Sequence, residues 1–138
     1  MSLKYDSDLA RVDWRRLSDI FALVGWGYRF PSDIEASFGK SSFVRFAYSD
    51  GVLVGFGRTV DDGKYYASIV DLIVHPEFQG KGIGSSILAY LKDALDGYIF
   101  TTLTTAVGKG SFYEQQGWKK QTTGYIWPRS AQQEKNNT

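Results

Sequence analysis

The sequence predicts an α/β domain in which a mixed, mostly antiparallel sheet carries helices on both faces. Two patterns support this: an antiparallel hairpin in the middle of the chain, and a strand, a helix and a strand in succession after it. The third observation is size, because 138 residues with 43% apolar content suit one compact domain. We therefore expect a single domain over residues 1–129 and a disordered polar tail over 130–138.

Two helices are predicted before the hairpin. The stretch VDWRRLSDIFALVGWG has helical periodicity, Asp13 can cap its start, and Gly25 and Gly27 end it. Its apolar stripe consists of Trp14, Leu17, Phe21 and Val24. The next stretch, FPSDIEASFGKS, predicts a short helix with Ser32 as its cap and Gly39 as its stop.

The hairpin is indicated by Asp50-Gly51 between the two β-rich runs of SFVRFAYSDGVLVGFGRTV. On its second strand Gly55 and Gly57 share a face, so we expect a backbone or a ligand to approach that face closely. A second turn at residues 61–63 leads into KYYASIVDLIV, which is almost entirely apolar. This run is predicted to be a central strand.

The remaining elements complete a β-α-β unit and a C-terminal segment. A helix is predicted from Ile83 to Leu95, with Asp96-Gly97 at its end, because its apolar residues form one stripe. The stripe consists of Ile83, Ile87, Leu88, Leu91, Ala94 and Leu95. YIFTTLTTA predicts a strand, GSFYEQQG a short helix stopped by Gly117, and WKKQTTGYIWP a last strand or two.

Composition excludes several classes of site and partner. The net charge is +1, from 16 basic and 15 acidic residues, so no surface for nucleic acid is expected. There is no cysteine, which rules out disulfides and thiolate sites, and the single histidine, His75, rules out multi-histidine metal sites. The sequence has neither a membrane-spanning stretch nor a signal-peptide core, so we expect a soluble cytoplasmic protein that needs no membrane and no metal.

Three glycines at alternate positions, Gly80, Gly82 and Gly84, stand where a strand gives way to a helix. Backbone amides at a helix start lack internal partners, and the helix dipole makes that end positive. Because glycine has no side chain, an anion can reach these amides, and the pattern predicts a pyrophosphate site. The spacing fits neither the dinucleotide fingerprint, which needs a glycine at Ser85, nor a Walker loop.

The stretch from Gln79 to Gly84 has the spacing Q-x-x-G-x-G and follows a strand ending in DLIVHP, and this combination resembles the GNAT superfamily of acetyl-CoA-dependent N-acetyltransferases. The similarity runs along nearly the whole chain. GVLVGFGR resembles the family's third strand, FYEQQGW its late helix and GYIW its closing strand. The resemblance implies a β-α-β crossover that binds CoA, and acetyl transfer from acetyl-CoA, the cosubstrate, to an amine.

The resemblance also implies where the cosubstrate binds. The pantetheine arm would lie between splayed parallel strands, 67–74 and 98–105, and contact the main chain of Leu72, Ile73 and Val74. An amide near Val74 would hold the thioester carbonyl and then its oxyanion. The pyrophosphate would bind one continuous stretch, which consists of Gln79, Gly80, Lys81, Gly82, Ile83, Gly84 and Ser85. The Lys81 side chain either adds a charge to a phosphate or is solvated.

The resemblance names further residues for catalysis. Tyr113 matches the family tyrosine near the sulfur and would donate a proton to the departing thiolate, unless it only packs its helix on the sheet. Asp71 is the carboxylate nearest the reacting carbonyl and could take the amine proton; the alternative is a buried strand aspartate that caps the backbone or pairs with an arginine. His75, otherwise a surface loop residue, and Glu35 are lesser candidates. Without a cysteine to carry the acetyl group, the amine is expected to attack directly in a ternary complex.

The acceptor pocket in this family is usually built from the first helices, their connecting loop and the last strands. GWGYRFP would supply Trp26, Tyr28 and Phe30, together with Tyr125 and Trp127 from the last strand, unless these aromatics are ordinary core residues. We expect a small-molecule primary amine, aromatic or like an amino acid. The alternatives are a protein lysine or N-terminus as acceptor, and a non-catalytic module that binds acyl-CoA. A homodimer is one option for the assembly.

Overall fold

The computed structural model describes residues 2–138. Its strands are β1 (Leu3–Asp6), β2 (Val44–Ser49), β3 (Val52–Asp61), β4 (Tyr66–Val74) and β5 (Phe100–Leu103). Its helices are α1 (Trp14–Leu23), α2 (Pro31–Lys40), α3 (Ile83–Ala94), α4 (Gly110–Gln115) and α5 (Ala131–Asn137). The strands form one sheet in the order β1-β2-β3-β4-β5. The first three pairs are antiparallel, and β4 and β5, joined through α3, are the parallel pair, which confirms the predicted fold class.

The chain divides into two compact units, Met1–Thr102 and Leu103–Thr138. The first contains α1 to α3 and nearly the whole sheet, and the second contains α4 and α5. The single domain over residues 1–129 stays a prediction. No helix among residues 2–138 is long and apolar enough to cross a membrane, and the cytoplasmic location also stays a prediction.

The helix α1 forms where the sequence predicts it. The Asp13 carboxylate accepts a hydrogen bond from the Arg16 amide at 3.2 Å, as an N-cap does. Leu17, Ile20 and Phe21 are buried, whereas Trp14 and Val24 pack against the edge of the core. The apolar face of α1 therefore covers the sheet.

The boundaries of α2 differ from the predicted ones. Phe30 is the N-cap residue and Pro31 takes the first helical position, so Ser32 lies inside the helix and caps nothing. Proline suits that position because its φ is already helical and its missing N–H would have had no partner there. Gly39 is also inside α2, which ends at Lys40 because Ser41 is extended.

The predicted hairpin joins β2 and β3, and its turn has a positive φ at both central residues, 50° at Asp50 and 82° at Gly51. Alternate residues of β3 then face opposite sides of the sheet. Phe56 packs on the α1 and α2 side, where its ring centroid is 5.3 Å from that of Phe21. Gly55 and Gly57 face α3 on the other side. Helices thus cover both faces of the sheet within the first unit.

The close approach at Gly55 and Gly57 has a different cause from the predicted one. A Cβ at Gly57 would lie 3.0 Å from Ile87 Cγ2 and 3.0 Å from Leu91 Cδ1. The atoms nearest to this space therefore belong to the apolar stripe of α3. In this way the two glycines allow α3 to pack directly on the sheet.

The end of β3 is fixed by the Asp61 carboxylate. It accepts hydrogen bonds from the hydroxyls of Ser42 at 2.5 Å, Thr59 at 2.8 Å and Tyr98 at 2.8 Å, and from the Gly63 amide at 3.0 Å. Burial raises the pKa of this carboxyl, but the hydrogen bonds outweigh that effect and lower the pKa to about 2. This cluster ties the β3–β4 turn to the segment that leads from α3 to β5.

The second unit departs from the predictions in two places. No strand forms in the described residues after Leu103, so the strand predicted within WKKQTTGYIWP is wrong. Tyr125 is 96% exposed and Trp127 80% exposed, so the stretch has neither a pairing partner nor burial to stabilise a strand. The tail predicted to be disordered forms α5, because the Ser130 hydroxyl caps it by accepting from the Gln133 amide at 3.0 Å.

Candidate active site

The glycine-rich segment after β4 forms an open loop. Gly80 and Gly82 have left-handed φ values of 76° and 83°, and Gly82 is the N-cap residue of α3. A Cβ built at either glycine would have no atom within 4 Å. The Gln79 side-chain amide donates to the Val74 carbonyl at 3.0 Å and so ties the loop to the end of β4. The space on the Cβ side of both glycines is therefore open.

The charges at this loop favour an anion. The first amides of an α-helix have no intrahelical partner and lie at the positive end of the dipole. The first turn of α3 contains no acidic residue, and Lys81 is exposed beside it. Of the predicted residues 79–85, Gln79 to Gly82 are exposed and Gly84 and Ser85 are half-buried, a surface that could hold a pyrophosphate, whereas Ile83 is buried in the core. Among residues 2–138 no group of three acidic, histidine or cysteine side chains could hold a metal ion.

A β-bulge interrupts β4 just before this loop. Phe56 pairs with Ile73 but Arg58 pairs with Val70, so Gly57 alone stands opposite Asp71 and Leu72. Asp71 adopts a φ of 54°, which is uncommon for a residue other than glycine. Beyond the bulge, Ile73 is buried, and Leu72 and Val74 are half-buried.

The edge of β4 beyond the bulge extends past the end of β5. Near the start of β4, the Ser68 hydroxyl lies 2.9 Å from that of Thr102. Because β5 ends one residue later, at Leu103, this parallel strand does not reach as far as Leu72–Val74. These three predicted residues therefore present an edge of the sheet that β5 leaves uncovered.

The Asp71 carboxylate lies between two arginines. It is 8% exposed, its Oδ2 accepts from Arg58 Nε at 2.8 Å, and its Oδ1 accepts from Arg29 Nη1 at 3.3 Å. This is the arrangement of the alternative interpretation, a buried strand aspartate that pairs with an arginine. Neither arginine was expected from the sequence, because a buried carboxylate indicates that a cation is near but not which one.

A cavity of about 300 Å³ adjoins Asp71, between the helical layer and the sheet. Its lining residues are Phe21, Tyr28, Arg29, Phe30, Asp33, Ile34, Ser37, Phe38 and Asp71. The rings of Tyr28 and Phe30 meet edge to face at 5.2 Å and are largely exposed. Two of the three wall residues predicted from GWGYRFP thus line the cavity. The third, Trp26, packs against Phe21 instead, and Glu35 is not among the lining residues.

His75 has a structural contact at the end of β4. Its Nδ1 accepts a hydrogen bond from the Glu77 amide at 3.1 Å and so caps the short 3-10 turn Pro76–Phe78. Its ring meets that of Phe78 edge to face at 5.8 Å. These contacts agree with a loop histidine that shapes the chain between β4 and α3.

Tyr113 lies in α4 of the second unit, where its ring meets that of Phe112 at 5.0 Å. Burial raises the pKa of its phenol above the ordinary value. The group therefore keeps its proton throughout the neutral range, as a proton donor must. The predicted helix around it is confirmed, and Gly117 follows it with a φ of 94°.

Comparison with known proteins identifies the family. Residues 40–120 match the family described as "Acetyltransferase (GNAT) domain", a match that includes β2 to β5, α3 and α4. The uncharacterized N-acetyltransferase ycf52 from Pyropia yezoensis is 28% identical over 126 residues, which cover 87% of this chain and 72% of that protein. Its counterpart from Porphyra purpurea is 29% identical with the same coverage.

Solved structures agree with this assignment. A probable acetyltransferase from Staphylococcus aureus has a TM-score of 0.81 at 18% identity, over 94% of this chain and all of the other. A GNAT family acetyltransferase from Streptococcus pneumoniae has a TM-score of 0.72 at 27% identity, over 94% and 98% of the two chains. The resemblance that the glycine motif indicated is confirmed. The chain belongs to the GNAT family and is an acetyltransferase.

Proposed function

We propose that the protein transfers the acetyl group of acetyl-CoA to the primary amine of a small molecule, by direct attack in a ternary complex. The observation that carries this proposal is the loop 79–85, in which left-handed glycines open the start of α3 to an anion. The family implies acetyl-CoA as the cosubstrate. The cavity beside Asp71 supplies a bounded space of the size that small ligands occupy.

We propose that successive segments of this chain bind successive parts of CoA. The amides of Gln79 to Ser85 would bind the pyrophosphate, and the Lys81 ammonium would add a charge beside it. The main chain of Leu72, Ile73 and Val74 would pair with the pantetheine arm, as an added strand pairs with a sheet edge. The end of β5 at Leu103 supports this arrangement, because the strand does not cover that edge.

The chemistry needs a nitrogen–carbon bond to form, a carbon–sulfur bond to break, and one proton to leave the amine. An amide near Val74 would stabilise the oxyanion, a contribution that is often worth about 10²–10³ in rate. The Tyr113 phenol would donate a hydrogen bond or a proton to the departing thiolate, whose conjugate thiol has a pKa of about 8.5, and would regain a transferred proton from solvent. Burial raises the pKa of the phenol, so it is protonated when the sulfur leaves but is a weaker acid than that thiol.

The proposed role of Asp71 as the proton acceptor is in competition with its ion pairs. Both of its oxygens already accept hydrogen bonds from guanidinium groups. A proton on Asp71 would break at least one of them, so we propose that Asp71 mainly positions Arg29 and Arg58. A water chain in the cavity would then carry the amine proton to solvent.

A thiol-release assay over a panel of amines tests the function. The panel contains aromatic amines, amino acids, polyamines and peptides with a free lysine or N-terminus. Release that depends on a small amine supports the proposal, and release with peptides alone would replace it with a protein acetyltransferase. Acetyl-CoA binding without release for any acceptor would point to a non-catalytic module instead.

A further inference from the structure

The cluster of Arg29, Arg58 and Asp71 beside the cavity carries more positive than negative charge. One buried carboxylate is shared by two guanidinium groups, so its single negative charge neutralises only one of them. Arg58 is the more deeply placed of the two, with an exposed fraction of 16%, and it also donates to the Ser41 hydroxyl at 3.3 Å. The excess charge is therefore carried by Arg29, which lines the cavity and is 41% exposed.

The Arg29 guanidinium is held in place, but only its Nη1 forms an ion pair. It lies 4.3 Å from the centroid of the Phe21 ring, and the Ser18 hydroxyl donates to the Arg29 carbonyl at 2.6 Å. Among residues 2–138, Arg29 forms one ion pair, from Nη1 to the Asp71 carboxylate. A guanidinium has five N–H donors in a fixed fork that matches a carboxylate. A guanidinium already fixed by its neighbours loses little conformational entropy when it binds a carboxylate.

The second charged residue on the cavity lining is Asp33, near the start of α2. It is exposed and forms no ion pair with Arg29 in the described part of the chain. The cavity thus presents a cationic fork and a separate carboxylate, between aromatic side chains. Such a lining suits a ligand that has an anionic group, an ammonium group and an apolar body.

We propose that the acceptor amine carries a carboxylate and that Arg29 binds it, so that α-amino acids with large apolar side chains are the substrate class. This inference rests on the proposed function and names the acceptor for it. Arg29 is then a specificity-determining residue, and Asp71 is the positioning residue that orients it. An amine of the same shape without a carboxylate would leave the guanidinium without its partner.

The experiment compares matched acceptors that differ by one carboxylate: L-phenylalanine with phenethylamine, L-tryptophan with tryptamine, and L-leucine with isoamylamine. The amino acid of each pair should have a kcat/KM about 10- to 100-fold higher, because a charge-assisted hydrogen bond is lost in its partner. Arg29→Gln should remove this preference mainly through KM. Arg15→Gln, which removes an equal charge from the exposed face of α1, should keep it.

Several results would overturn the inference. Equal or better use of the decarboxylated amines contradicts the inference but leaves the proposed function intact. A preference for the amino acids that survives Arg29→Gln has the same meaning. Release with no member of any panel removes the proposed function itself. If Arg29→Gln does not fold, product inhibition of the wild-type protein decides: N-acetyl-L-phenylalanine should inhibit more strongly than N-acetylphenethylamine, and equal inhibition contradicts the proposal.

Discussion

Replacing Gly82 by alanine separates backbone strain from loss of the CoA site. Gly82 has a φ of 83°, and an added Cβ meets no atom within 4 Å, so the methyl group strains the backbone without a clash. A left-handed conformation costs an L-residue about 1–2 kcal/mol. We therefore expect Gly82→Ala to lower the melting temperature by about 3–8 °C.

Gly63→Ala is the matched control, because Gly63 has a φ of 80° and equally open surroundings, but lies in the β3–β4 turn. Both variants should lose a similar free energy of unfolding. They should differ when acetyl-CoA is added, because a ligand at 100 times its Kd stabilises the native state by about 2.7 kcal/mol. Gly63→Ala should keep this stabilisation, whereas Gly82→Ala should lose more than half of it.

Differential scanning fluorimetry with and without acetyl-CoA measures both effects on the same samples. Pantetheine, which lacks the pyrophosphate, provides a ligand control, since its weaker effect should be the same in the two variants. Equal acetyl-CoA shifts in Gly82→Ala and Gly63→Ala would refute the assignment of the pyrophosphate to the start of α3. Unequal losses of stability without ligand would refute the estimate of strain.

Three further predictions concern packing, pH and catalysis. Gly57→Ala should destabilise the protein by about 1–3 kcal/mol in urea denaturation, because its methyl group overpacks against α3, whereas Gly39→Ala, in an open helical position, should be neutral or stabilising. The pKa of the Asp61 carboxyl is lower in the folded state than in the unfolded state, so the ionised carboxylate stabilises the fold above about pH 4. This stabilisation is lost as the pH falls through about 2. Asp61→Asn should remove roughly 1 kcal/mol of that acid dependence after allowance for screening, and an unchanged profile would contradict this. Tyr113→Phe should lower kcat about 10²-fold with little change in the Kd for acetyl-CoA, and equal turnover would remove Tyr113 from the mechanism.

The elements that the sequence predicted well are those with local causes. Asp13 caps α1 through an amide three residues away, and Asp50-Gly51 makes a tight turn from its own backbone preferences. The glycine loop is local in the same sense, because Gly80 and Gly82 owe their conformation to the absence of a side chain. Residue order alone is sufficient to locate such features.

The features that the sequence did not predict depend on distant parts of the chain. Arg29 and Arg58 reach Asp71 across 42 and 13 residues, and no spacing rule identifies either as its partner. The bulge at Asp71 arises from the register between β3 and β4, which tertiary packing sets. β1 has four residues, too few for alternation to be recognised, and its pairing with β2 stabilises it.

The most direct test of the proposed CoA site is a titration of the ¹⁵N-labelled protein with acetyl-CoA, followed by amide chemical shifts. The amides of residues 79–85 should shift most, with those of Leu72 to Val74 close behind, because both sets would donate to or lie against the ligand. The Gly63 amide, in the β3–β4 turn, should stay unchanged. Binding that shifts other amides and leaves residues 79–85 at their original positions would contradict the proposed site at the start of α3.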